Sequence, residues 1–258
     1  MDIARELAPV AARTFQSSRG GQYDLPASFL PSNAARIGAI AAFEDSQKRD
    51  VSAESALPGT VLLKSGQRLC DIHRIVICTG YHISYPFLRS LHADNVAPED
   101  AGDTVLITDG TQTHNLHKDI FYIPDPTLSF IGVPYHVATF SLFEFQAVAV
   151  AAVFSGQVDL PPTALMRQGY LRRVSQKGSG RGFHSLKGEG EEIAYVKDLV
   201  DWINSSRRDG RVARGHSKAW HEAYRERLKR TERMKADTTK ANLLATEATF
   251  LQQLQPCT

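Results

Sequence analysis

The sequence predicts an α/β chain with incomplete parallel sheets and a C-terminal helical extension. Three observations carry this. Short β-branched or apolar runs alternate with stretches of helical periodicity as far as Gly156. One of them, Ile75-Val76-Ile77-Cys78, is apolar at consecutive positions, as in a strand buried on both faces of a parallel sheet. From about residue 165 the chain turns polar, and residues 207–235 hold eleven Lys/Arg against four Asp/Glu, +7 within a chain of net charge +2.

Residues 2–14 read as a helix, because Ile3, Leu7 and Val10 or Ala11 share one face; Pro9 predicts a kink or a short first segment. "TFQSSRGG" follows as a short strand ending at Ser17-Ser18-Arg19, with Gly20-Gly21 as its breaker. Helix, strand, basic residue and glycine turn in that order are the second half of a β-α-β unit. Residues 27–50 read as loop and weak helix, and "TVLLKSGQRL" (60–69) as a hairpin around Ser65-Gly66. "RIVICTG" is the buried parallel-type strand, and Leu128 to Ile131 a further short one, broken by Gly132 and Pro134.

The clearest helix starts at Ser141. "SLFE" has the spacing of a capping box, with Ser141 as N-cap and Glu144 at N3. Phe140 and Phe145 are spaced as a hydrophobic staple, the body is apolar nearly all round, which predicts deep burial, and Gly156 suits C′. Beyond it, "KGSGRG" and "KGEGEE" are loops, "IAYVKDLVDWIN" an amphipathic helix and "AWHEAYRERLKRTERMK" a charged surface helix. The last twenty residues carry no clear signal.

Several function classes are disfavoured. No apolar run is long enough to span a bilayer, and the N-terminus has no secretory h-region, so a soluble, cytoplasmic protein is expected. Three cysteines make no CxxC pair, which suggests a reducing compartment. Nine histidines show no HxH or HExxH spacing, so no metal site is expected, and no GxSxG occurs. The basic segment interleaves Glu222, Glu226 and Glu232 with its cations, as solvated helices do, and lacks the stacking aromatics of a nucleic-acid module.

Three features can carry chemistry. Arg19, with Ser18, stands at a strand tip, where an arginine suits a ribose 2′-phosphate; a solvated arginine before a turn is the alternative. Thr79-Gly80-Tyr81 is a sharp exit from a strand's carboxyl end, where open α/β sheets bind ligands, or simply a strand end with a turn glycine. The N-terminus of the helix at Ser141 can face an anionic ligand edge, approached by Gly132, Tyr135 and His136, the last more in keeping with a structural role.

In this order the pieces resemble the flavin-containing monooxygenases, particularly their fungal branch, over residues 2 to about 204. "MDIARELA" is similar to the helix that follows the family's second Gly-rich motif, and "SSR" to its 2′-phosphate site. "DIHRIVICTGYHISYPFL" is similar to the family's T-G-Y…PFL signature, and "LSFIGVPYHVATFSLFEFQAVAVAAVFSGQVDLP" to its final flavin-contacting segment. The resemblance implies a partial two-dinucleotide-binding-domain, Rossmann-like architecture. It divides as a remainder of the NADPH-binding domain (1–80), the C-terminal part of the FAD-binding domain (81–165) and a helical, basic extension (166–258). It also implies FAD, NADPH and O2, with transfer of one oxygen atom from a C4a-hydroperoxyflavin to an amine, thiol or sulfide.

By position, Ser18 and Arg19 would hold the NADP 2′-phosphate, and Thr79, Gly80 and Tyr81 would lie near the junction of the nucleotide sites. Gly132, Phe140, Ser141 and Gln146 would approach the flavin. No catalytic residue is assigned. The sequence departs from the family in having no G-x-G-x-x-G, with Met1 just past the position of the second glycine motif. The expectation is therefore the C-terminal portion of such an enzyme, N-terminally truncated. The alternative is a non-catalytic remnant acting as a binding or interaction module.

Overall fold

Pro9 sets the first boundary. In a computed structural model of the chain, helix α1 spans Asp2–Leu7 and stops before Ala8, because a residue preceding proline is pushed out of helical backbone. One further turn follows, with the amides of Val10 and Ala11 donating to the Leu7 carbonyl at 3.0 and 2.8 Å. The structure describes residues 2–18, 27–44, 56–57 and 59–242. They fall into two units, Met1–Cys78 with Glu222–Thr258, and Thr79–His221.

In the first unit β1 (Thr14–Ser17) pairs in parallel with β2 (Ala34–Ile37), Thr14 opposite Ala34 and Ser17 opposite Ile37. The Asn33 amide donates to the carbonyls of Ala8 and Ala11 at 2.9 and 2.8 Å, tying the end of α1 to the entry of β2. A three-stranded antiparallel sheet follows in the order β3 (Ile40–Glu44), β4 (Thr60–Leu63) and β5 (Arg68–Leu69). The hairpin turns at Gly66, φ +86°, as the sequence predicts. Alternation on β4 buries Val61 and Leu63, which join Ile37 and Leu69 in this unit's core.

Two readings are corrected here. Residues 34–44, expected as loop and weak helix, form β2 and β3. Their alanines favour a helix locally, and cross-strand pairing with β1 and β4 overrides that preference. Ile75-Val76-Ile77-Cys78 lies in no described strand and is not buried, with Ile75, Val76 and Ile77 42, 58 and 77% exposed. A parallel strand needs neighbours to pair with and layers to cover it, and none of the described strands pairs with this run. Cys78 is a free, exposed thiol, whereas Cys70 is disulfide-bonded, which the spacing of three cysteines does not announce.

In the second unit β6 (Leu116–His117) and β7 (Phe121–Tyr122) form a short antiparallel ladder. The strand expected at Leu128–Ile131 is reduced to a single bridge, Ser129 to Phe121. Pro124 and Pro126 have no amide proton for a ladder, and the chain turns at Asp125, whose carboxylate takes the Thr127 amide at 3.1 Å.

Three helices cover this region: α2 (Thr139–Phe154), α3 (Thr163–Lys177) and α4 (Glu191–Ser206). α4 buries Glu192, Val196, Leu199, Val200 and Ile203, a one-sided stripe at the expected helical spacing. Leu199 and Ile203 meet Ala149 and Ala152 of α2, together with Ile120 and Phe121. α3 turns Met166 and Tyr170 toward Ile123 and Phe183. Each fully buried large apolar side chain contributes about 1.5–3 kcal/mol.

α2 departs from its expected form at one end and keeps it at the other. It starts at Thr139 with Ala138 as N-cap and no side-chain capping bond among the described residues, so neither the capping box nor the staple forms. The Ala138 amide donates to the buried Glu192 carboxylate at 3.0 Å instead, and Phe140 is 90% exposed. Nor is the helix buried all round: Leu142, Gln146, Ala149 and Ala152 face inward, while Val148 and Phe154 are exposed. At the far end Gly156 takes φ +71°, its amide reaching Val153 and the Gln157 amide reaching Ala152, both at 2.9 Å. This is the Schellman pattern expected for a C′ glycine.

α5 (Lys218–Asn242) is the charged helix expected near the C-terminus. No helix of the described residues is long and apolar enough to cross a membrane.

Candidate functional site

Ser18 belongs to the first unit. It follows β1, and its amide donates to the Ile37 carbonyl at 3.1 Å, extending the β1–β2 pairing by one bond. Arg19 lies outside the described residues.

The remaining candidates lie in the second unit. Thr79, Gly80 and Tyr81 are exposed, Tyr81 to 92%. Gly80 has φ +91°, a backbone that suits glycine. The segment is anchored from below: the Ile83 amide donates to the Gly110 carbonyl at 2.8 Å, and His82 Nδ1 lies 2.9 Å from the Asp109 carbonyl oxygen. Arg181 closes the corner. Its guanidinium donates to the Tyr81 carbonyl at 3.1 Å, and its own carbonyl accepts from the Tyr135 hydroxyl. Arg181 thus couples the Thr79–Tyr81 corner to the loop that leads into α2. It sits in the stretch "KGSGRG", where the sequence signals only a loop.

Gly132 and Gln146 come together. The Gly132 amide donates to Gln146 Oε1 at 2.8 Å, and Gln146 Nε2 donates to the Tyr195 hydroxyl at 2.8 Å. That hydroxyl in turn donates to the Lys118 carbonyl at 2.6 Å, and burial pushes the Tyr195 phenol's pKa up. Gln146 is fully buried, so its side chain works inward and fixes the approach to α2. Gly132 has φ +93°, and a Cβ there would come within 2.7 Å of the Phe143 ring. Ser141 Oγ lies 3.3 Å from His216 Nδ1, on a groove between α2 and the chain after α4.

Beneath the loop is a buried polar cluster that the sequence does not single out. Asp119, fully buried, lies 2.9 Å from His184 Nδ1 and takes a 2.6 Å bond from Arg173. Burial alone would raise the Asp119 carboxyl, but the charges and hydrogen bonds of His184 and Arg173 hold it below its ordinary value. His184 Nε2 meets the Thr113 backbone, while Gln112 joins the Tyr170 hydroxyl to the Gly180 amide. His114 packs alongside, bonded to Thr108 at 2.9 Å; burial, reinforced by His184, lowers its pKa to about 4. "LHKDIF" gives no periodic or motif signal for this network. Every member is partnered inside the protein, and the cluster fixes the Asn115–Asp119 turn and the His184 segment, whose backbone holds Tyr135.

The first amides of α2 carry no side-chain cap among the described residues, while the buried Glu192 carboxylate already faces that end through the Ala138 amide. Tyr81 and Phe140 offer exposed rings for stacking. The resemblance implies FAD, and these features suit the ring end of that cofactor. For its diphosphate the sequence holds no G-x-G-x-x-G loop.

No protein-family model matches the chain. The flavin-containing monooxygenase ustF2 of Aspergillus flavus is 46% identical over 227 residues, covering 86% of this chain and 46% of that protein. The thiol-specific monooxygenase of Saccharomyces cerevisiae is 28% identical over 205 residues, covering 79% of this chain and 40% of that one. The chain therefore spans about half the length of the curated relatives it matches. Among solved structures, an S-allyl-L-cysteine S-oxygenase from Allium sativum superposes with a TM-score of 0.59 at 21% identity, over 95% of this chain and 47% of that one. That likeness shows the fold, and with the sequence matches it supports one conclusion: the chain belongs to the flavin-containing monooxygenase family, corresponding to a part of its members' length.

Proposed function

We propose that this chain serves NADPH-driven oxygenation of a soft nucleophile, an amine, thiol or sulfide, with FAD as the flavin. The observation that carries the reading is the loop that leads into α2, pinned from Gly132 to Gln146 and ending beside exposed Phe140. FAD, when bound, supplies the electron transfer and oxygen activation. The chain's own residues do the positioning. The α2 amides hold the anionic edge of the ring, Gln146 keeps Gly132 and its loop in place, and Arg181 keeps the Thr79–Tyr81 corner against that loop. Ser18 and Arg19 select the 2′-phosphate of NADPH.

The reaction is tested by following NADPH oxidation by the purified, FAD-supplemented chain with and without a thiol or amine. The reading expects substrate-dependent oxidation and a product heavier by one oxygen atom. Arg19→Ala should weaken NADPH much more than NADH, by about tenfold for the loss of a charged hydrogen bond. Equal loss for both coenzymes would discard the 2′-phosphate assignment. A chain that never takes up FAD would favour the binding-module alternative.

A further inference from the structure

A groove of about 600 Å³ lies between α2, α4 and the segment after α4, within the second unit. Its volume is that of a small-molecule site. One wall is apolar, built from Val148, Val200, Ile203, Val212 and Trp220. The rim is cationic, with Arg207, Arg211 and Arg214. Two carboxylates oppose these three guanidiniums. Asp209 is engaged by Arg207 at 2.6 and 3.0 Å and lies 3.9 Å from Arg211; Glu144 is the other. The balance remains positive.

His216 supplies a further polar group. Its ring stacks on Trp220, centroids 3.5 Å apart and 8° from parallel, and meets Phe145 edge-on at 4.8 Å. Ser141 Oγ lies 3.3 Å from the ring's Nδ1. The His216 Nε2 is buried and has no hydrogen-bond partner among the described residues.

We propose that this groove binds a small amphipathic organic anion, a carboxylate carrying a hydrocarbon chain or ring. The apolar wall takes the body, while Arg211 and Arg214 on the rim take the carboxylate. A compact inorganic anion would leave the wall of Val148, Ile203 and Trp220 uncovered. An uncharged hydrocarbon would leave Arg211 and Arg214 on the rim without an anion. The groove shares Ser141 with the residues that the resemblance places toward the flavin, and its test does not depend on FAD uptake.

The test is calorimetric titration of the purified full chain with octanoate, octan-1-ol and inorganic phosphate. Octanoate should bind with one-to-one stoichiometry, about tenfold or more tighter than either comparison. The double variant Arg211→Ala/Arg214→Ala should weaken octanoate by about tenfold while leaving octan-1-ol unchanged. Octanoate binding no tighter than octan-1-ol would overturn the proposal, a result read on the unaltered protein. So would an unchanged octanoate affinity in a folded double variant. Displacement of octanoate by FAD would overturn it too, because the groove would then belong to the flavin site.

Discussion

At Gly132 two independent constraints meet: a backbone at φ +93° and a Phe143 ring carbon that would lie 2.7 Å from any Cβ. Gly132→Ala should therefore cost about 2 kcal/mol, from left-handed strain and overpacking together. A thermal unfolding midpoint unchanged from the parent protein would show that the ring simply moves aside. The histidines give a pH signature. Burial holds His114 and His117 at about 4, below their ordinary 6.5. Between those values the unfolded chain binds protons that the folded chain does not, so their stabilising contribution is present above 6.5 and drains away as pH falls toward 4. The unfolding midpoint should drop steeply through that window, and His114→Gln should flatten the fall. A flat profile in the parent protein would contradict the burial of both rings. Sequence reading reached Gly132 and Gln146 through a resemblance to a flavin-contacting segment, but not their 2.8 Å bond to each other. Asp119, His184 and Arg181 stayed invisible because their meaning lies in partners 46 to 100 positions away.

At the scale of elements, local signals held where local physics decides. The Gly66 hairpin, the Gly156 helix end and the α4 stripe all follow from backbone freedom or periodicity within a few residues. Readings failed where pairing decides. Ala-rich β2 and β3 look like weak helix until β1 and β4 supply their ladders. Helix α3 was passed over because its buried stripe is only Met166 and Tyr170, against a polar background. The β-branched Ile75-Val76-Ile77 has every intrinsic preference for a strand, and none of the described strands pairs with it. A direct consequence separates a buried strand from an exposed run. Ile77→Asp should change stability by no more than about 0.5 kcal/mol, as exposed positions do, while Leu63→Ala should cost about 2–5 kcal/mol. Denaturant unfolding of both variants decides it. A large loss for Ile77→Asp would mean that the run is buried after all.

For the whole molecule, the family was legible because its motifs occur in order along the chain, and order is a property of sequence. The sheets were not, since a sheet is completed by segments far apart and this chain matches about half the length of its relatives. The polar cluster around Asp119 and the pinned loop from Gly132 to Gln146 hold one end of a candidate flavin site rigid without any cofactor contact. Preorganisation of that kind lowers what a ligand must spend on ordering its site. The central claim is that this half-site still receives the flavin ring. Titrating the purified chain into FAD while following flavin fluorescence tests it most directly. The account predicts saturable quenching and a yellow protein that keeps its colour through gel filtration, both lost when Gly132→Ala displaces the loop. Fluorescence unchanged at every protein concentration, with all FAD eluting free, would contradict it.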